Sequence, residues 1–227
     1  MMRKPVVDYR EFRFNRLNEP RFSHMWLLAG WLFYFAGYFL TENLIPAERC
    51  HVIHCALDDL IPFNESFVLI YCYWYFLLVA SLLYFFLYDI QSFRRLQIYI
   101  IVTQVVAMAV YVIYPSVQNL RPETFPRDNV LSHLMGFIYS FDTPTGVCPS
   151  LHVAYSGGIA SAWCRRKGTS PLLRIFVVLS AIAISVSTAF VKQHSVVDIL
   201  AAIPLCLLAA LFVRLVEKKQ AAKSGTA

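Results

Sequence analysis

The stretch CPSLHVAYSGGIASAW, Cys148 to Trp163, decides the fold. It opens with proline, serine and histidine and only then turns apolar. Read as a loop, it would upset the topology of everything beyond it and separate the two histidines discussed below. Gly157, Gly158 and its serines weaken its hydropathy, but small residues suit close helix packing in a bilayer. It is therefore read as a crossing that starts at a membrane edge.

Five further apolar runs flank it: Met25–Thr41, Phe67–Leu87, Leu96–Tyr114, Leu172–Phe190 and Val196–Val213. A helical span needs about 20 residues, with roughly 17–25 tolerated. The chain of 227 residues is 58% hydrophobic and 15% charged, where a soluble domain carries about 25% charged residues. The expectation is an all-α integral membrane protein: one six-helix bundle, with no soluble domain and no internal repeat. The first apolar run is too long for a cleavable signal and lacks a small-residue cleavage site, so it reads as an anchor.

The net charge of +6 follows topology rather than nucleic-acid binding. Arg3, Lys4, Arg10, Arg13, Arg16 and Arg21 precede the first span. Arg94 and Arg95 follow the second; Arg165, Arg166, Lys167 and Arg174 follow the fourth. Arg214, Lys218, Lys219 and Lys223 follow the sixth. That places 16 of the 20 basic residues on one side. Only Arg49, Arg121, Arg127 and Lys192 face the other. Cytoplasmic loops collect Lys and Arg, so both termini are expected in the cytoplasm. The plasma membrane is the expected location. Residues 1–24 read as a basic arm on the inner surface, and Ala221–Ala227 as a disordered tail.

The outer connections carry the rest. CHVIHC, Cys50 to Cys55, offers two cysteines and two histidines, too close together for an ordinary tetrahedral metal site. A disulfide or plain loop packing suits it better. Pro115 to Val147 holds four prolines. Within it Leu131, Leu134, Met135 and Ile138 recur at helical spacing and predict a short interfacial helix over Asp128–Phe141.

A second polar stretch, STAFVKQHSVVD, Ser187 to Asp198, sits at the same outer edge. Arg121, Ser150, His152, Thr188, Lys192, His194 and Asp198 thus converge from three separated segments. His194 and Asp198, four apart, share a helix face. A carboxylate there fixes the imidazole tautomer and raises its basicity, as a nucleophilic histidine requires. His152 is placed to protonate a leaving oxygen. Arg121 and Lys192 supply charge, Ser150 a hydroxyl, and the amides opening the fourth span favour phosphate. A carboxylate inside a span is costly and marks function. The set describes phosphoryl transfer with no metal or cofactor.

At these residues the chain resembles the type 2 phosphatidic acid phosphatase superfamily, whose patterns are KxxxxxxRP, PSGH and SRxxxxxHxxxD. Here the third reads Ser187-Thr188, five residues, His194, three residues, Asp198. The second reads Pro149-Ser150-Leu151-His152, with leucine for glycine. The first keeps Arg121-Pro122, with Tyr114 where the lysine stands. The resemblance implies a membrane lipid-phosphate phosphatase acting through a phosphohistidine on His194, oriented by Asp198, with His152 as general acid. Arg121, Ser150 and Lys192, with Thr188 and Tyr114 at the altered positions, would surround the phosphate of a lipid phosphate or lipid diphosphate. The PSLH form is similar to the sphingomyelin and inositol phosphorylceramide synthase branch, which implies headgroup transfer as the alternative. A non-catalytic lipid-binding or transport protein is the third reading.

Overall fold

A computed structural model describes residues 4–224, with side chains as far as Ala222. Arg3 and the Lys223 side chain, both counted above, lie outside the described residues. The fold is all-α. Its helices are α1 (Ala29–Leu44), α2 (Ala56–Leu60), α3 (Val68–Tyr88), α4 (Ile90–Ile113), α5 (Val130–Phe141), α6 (Leu151–Arg165), α7 (Pro171–Phe190) and α8 (Val196–Ser224). Two dipeptides, β1 (His51–Val52) and β2 (Ser116–Val117), pair in parallel and tie the two long loops together.

Among the described residues four helices, α3, α4, α7 and α8, are long and apolar enough to cross a membrane. The run expected from Met25 becomes a 3₁₀ segment, Ser23–Leu28, leading into α1. α6 has only 15 residues, yet it is the hub: it packs against α3, α4, α7 and α8. Its inward face buries Ala154, Tyr155, Ser156, Gly158, Ile159 and Ala162. Large apolar side chains instead point outward from the surrounding helices, as Leu69, Phe76, Val105, Leu179 and Leu207 do.

Several boundaries differ from expectation for identifiable reasons. α4 begins at Ile90, not Leu96, because Asp89 caps it: its carboxylate accepts from the Ser92 amide and hydroxyl, both at 3.0 Å. Arg94 and Arg95 hid that turn from hydropathy. α5 starts at Val130, with the Asn129 side chain accepting from Leu131 N and Ser132 N. α8 continues to Ser224, where disorder was expected from Ala221. Its last turns are rich in good helix formers, and Glu217 pairs with both Arg95 and Arg165. These pairs gather the ends of α4, α6 and α8, and Arg166 adds a 3.1 Å pair to Asp89. The basic arm is not a loose surface segment: Val6 N donates to Leu87 O and the Tyr9 hydroxyl to Phe86 O. All six cysteines are free, Cys50 and Cys55 included.

The close approach of α6 to α4 depends on Gly158. A Cβ there would sit 2.5 Å from Cδ1 of the Tyr99 ring, and Tyr99 is itself buried. Overpacking costs about 1–3 kcal/mol, while Gly to Ala in a helix gains about 1 kcal/mol. Gly158→Ala is therefore expected to lower the thermal midpoint in detergent. A raised midpoint would mean that α6 and α4 are not packed this way.

Candidate active site

The start of α8 builds the site. Ser195 is its N-cap and Asp198 its third residue, and both side chains accept from backbone amides of this turn. The Ser195 hydroxyl accepts from Val197 N at 3.1 Å, and Asp198 Oδ2 accepts from Ser195 N at 2.9 Å. The same oxygen lies 3.3 Å from His194 Nδ1. Asp198 has no solvent exposure, and the positive end of the helix dipole favours its charge.

α6 brings the second histidine. Ser150 caps it, accepting from Val153 N at 3.4 Å, and its own amide donates to Asp198 O at 3.1 Å. The starts of α6 and α8 are thus joined through backbone. His152 Nδ1 stands 3.1 Å from His194 Nε2. An ionised Asp198 only accepts, so neutral His194 holds its proton on Nδ1 and its lone pair on Nε2. That lone pair accepts a hydrogen bond from His152 Nδ1–H. His152 Nε2 is buried without a hydrogen-bond partner among the described residues. The relay Asp198–His194–His152 leaves one unpartnered nitrogen, His152 Nε2, on a residue that lines the cavity.

Both histidines open on a cavity of about 590 Å³. Trp74, whose ring lies 4.4 Å from that of His152, begins its α3 wall. The wall continues through Leu78 and Val79 to Leu82, about 12 Å further along the helix. α1 faces it with Trp31, Tyr34, Phe35 and Tyr38. Among the described residues no lysine or arginine lines this cavity, but the Asp142 carboxylate does.

The other expected residues divide. Ser150 is buried at the cap, beside the relay. Arg121 does not line the cavity. It lies behind it, 4.4 Å over the Tyr139 ring, donating to Asp142 O at 2.5 Å and to Gln193 Oε1 at 2.6 Å. Lys192 has a left-handed backbone, φ 52°, and its ammonium donates to Asp58 O at 2.8 Å and Ile61 O at 2.5 Å. Burial lowers its pKa, with Asp58 and Asp59 opposing. It lines a separate polar opening with His54, Asp58 and Asp59. The Thr188 hydroxyl is spent on Ser185 O within its own helix. Tyr114 is half-exposed and stacks on His51 at 4.1 Å. These last three stand away from the two histidines' cavity.

Four participants were missed in the sequence: Gln193, Asp142, Tyr71 and Asp58. Gln193 links Arg121 to Asp142, donating to Asp142 Oδ2 at 2.8 Å. Tyr71 donates to the same oxygen at 2.7 Å and sets its ring 4.8 Å from that of His152. Asp58 holds the start of α8 and is treated below. The serine-x-x-aspartate spacing of Ser195 and Asp198 was a readable capping signal; nothing local marked Asp142 or Tyr71.

No family model, curated protein or solved structure matches this chain.

The relay makes a spectroscopic prediction. Selective ¹⁵N-histidine spectra should find His194 protonated at Nδ1, and Asp198→Ala should mix its tautomers. Loss of the cap should also cost about 0.5–2 kcal/mol of stability. An unchanged tautomer in Asp198→Ala would mean that Asp198 does not orient His194.

Proposed function

We propose that this protein is an integral membrane lipid-phosphate phosphatase of the type 2 phosphatidic acid phosphatase kind, working through a phosphohistidine on His194. The observation that carries the reading is the pair of contacts around one ring: His194 Nδ1 to Asp198 at 3.3 Å and His194 Nε2 to His152 at 3.1 Å. A structural histidine needs neither a buried carboxylate nor a second imidazole.

A six-span bundle with both termini cytoplasmic is part of the proposal. The 3₁₀ segment and α1 together rise roughly 36 Å, enough for a hydrocarbon core of about 30 Å. α6 reaches only about 22 Å, but four helices surround it, so its ends need not meet lipid. The arginine-rich ends of α4, α6 and α8 would face the cytoplasm, and the histidines the opposite edge.

In this mechanism the lipid lies along the α1–α3 cavity with its phosphoryl group at the histidines. The group must part the two rings, taking the place of their hydrogen bond. His194 Nε2 attacks phosphorus and a phosphorus–nitrogen bond forms as the bond to the leaving oxygen breaks. Asp198 stabilises the imidazolium through Nδ1–H. His152, protonated at Nε2 by the acidic proton of the monoanionic phosphate as it binds, gives that proton to the leaving oxygen. Neutral His152 then takes a proton from water as the water attacks the phosphohistidine and releases phosphate. Free amides at the start of α6 would receive the phosphoryl oxygens.

A second reading, headgroup transfer to a lipid alcohol, is favoured by one feature. A phosphomonoester brings about −1.5 to −2 charges at neutral pH, a phosphodiester only one, and among the described residues no lysine or arginine lines the cavity.

Purified protein in lipid micelles, given a panel of lipid phosphates and phosphodiesters, should release phosphate in a manner abolished by His194→Ala. His152→Ala should lose roughly 10²–10⁴-fold in turnover, and much less on a substrate whose leaving group needs no proton. A new phospholipid without free phosphate would replace hydrolysis by transfer. Turnover retained in His194→Ala would overturn both.

A further inference from the structure

Asp58 lies 136 residues before His194 in the chain, on the five-residue helix α2 of the first outer loop. Its side chain is buried, at 2% exposure. Oδ1 accepts from Val196 N at 2.8 Å. Oδ2 accepts from the Ser195 hydroxyl at 2.6 Å and from Cys55 N at 2.8 Å. Burial disfavours the charged carboxylate, but the Ser195 hydroxyl and the Val196 and Cys55 amides outweigh it and lower its pKa. An uncompensated carboxylate would be expensive here; this one is fully engaged, and all but one of its partners belong to the first turn of α8.

The first helical amides of α8 need external acceptors. Two carboxylates serve this helix start from opposite directions. Asp198 reaches back to Ser195 N, while Asp58 arrives from another segment and takes Val196 N and the Ser195 hydroxyl. Asp198 also holds His194, so any slack in this turn passes to the imidazole. α2 is docked a second time, because the Lys192 ammonium binds its carbonyls. The residues before His194 are gripped separately: Tyr139 OH on Val191 O at 2.6 Å, Gln118 on Lys192 O at 2.9 Å, Arg121 on Gln193. Asp58 is the grip on the residues after it. It is not among the residues lining the histidines' cavity, so it would act through α8 rather than on a ligand.

We infer that Asp58 is a positioning residue: through Ser195 and Val196 it holds the first turn of α8 so that Asp198 and His194 keep reacting geometry. The catalytic part of this inference rests on the function proposed above.

The test uses full-length protein in micelles, with Asp58→Asn, Ser195→Ala and the double variant. Asp58→Asn should lower kcat by roughly tenfold to a hundredfold, the scale of a misplaced reacting group, with KM little changed. Ser195→Ala should lower it less. The double variant should be no worse than Asp58→Asn, because both act through one link. Independently of turnover, Asp58→Asn should speed hydrogen exchange at Ser195 and Val196 and mix the His194 tautomers, without unfolding the bundle. Unchanged exchange and tautomer in Asp58→Asn would overturn the inference, as would fully additive losses in kcat. If wild-type protein transfers phosphate from no lipid, the functional reading fails; the exchange and tautomer arms still decide whether Asp58 holds His194.

Discussion

A carboxylate with no solvent exposure, at the start of an apolar helix, is the constraint around which this molecule is arranged. Asp198 cannot be left unpaired there without a cost of several kcal/mol. Oδ1 is buried with no hydrogen-bond partner among the described residues, while Oδ2 is met by the Ser195 amide and by His194, with the positive end of α8 behind the charge. Each of these fixes something else: the amide caps the helix, the imidazole takes one tautomer, and the backbone oxygen of Asp198 receives Ser150 N from α6. The place where two helices start is thereby one hydrogen-bonded unit, and the two histidines meet because of it.

The long connecting loops serve the same unit. The stretch from Val191 to Val196 is held residue by residue, from α2, from the segment after α4, and from α5. This explains why Lys192 and Arg121 do not occupy the histidines' cavity. Their charges are used on carbonyls and on Gln193, where they shape the loop that carries His194. The cavity is left aromatic and apolar, with Asp142 as its charged group. On the functional reading proposed above, phosphate recognition then falls to helix amides and the histidines themselves, which suits a phosphate of low charge.

Much of this was legible in the sequence. The runs of α3, α4, α7 and α8 are long and apolar enough to read directly. The spacing of His194 and Asp198 suggested one helix face, but His194 lies before the start of α8 and Asp198 reaches back to it from the first turn. The meeting of His152 with His194 followed from sidedness alone. What stayed hidden was of two kinds. Helix ends made of polar residues, such as Ile90–Arg95, escape hydropathy because a cap rather than burial starts them. Contacts of long range, such as Asp58 with Ser195 or Asp142 with Gln193 and Tyr71, have no periodicity to betray them. Charge counting also misled about Lys192: the count assigns it to one side but says nothing of which carbonyls it will find.

The most direct measurement of the central claim is to trap the covalent intermediate. Protein incubated with a lipid carrying labelled phosphate should be quenched within a turnover, digested under mildly alkaline conditions and sequenced by mass spectrometry. The account predicts an acid-labile phosphoryl group on His194, absent in His194→Ala and accumulating when the water step is slowed. Turnover accompanied by a phosphoryl group on another residue, or with His194 unmodified throughout, would contradict it.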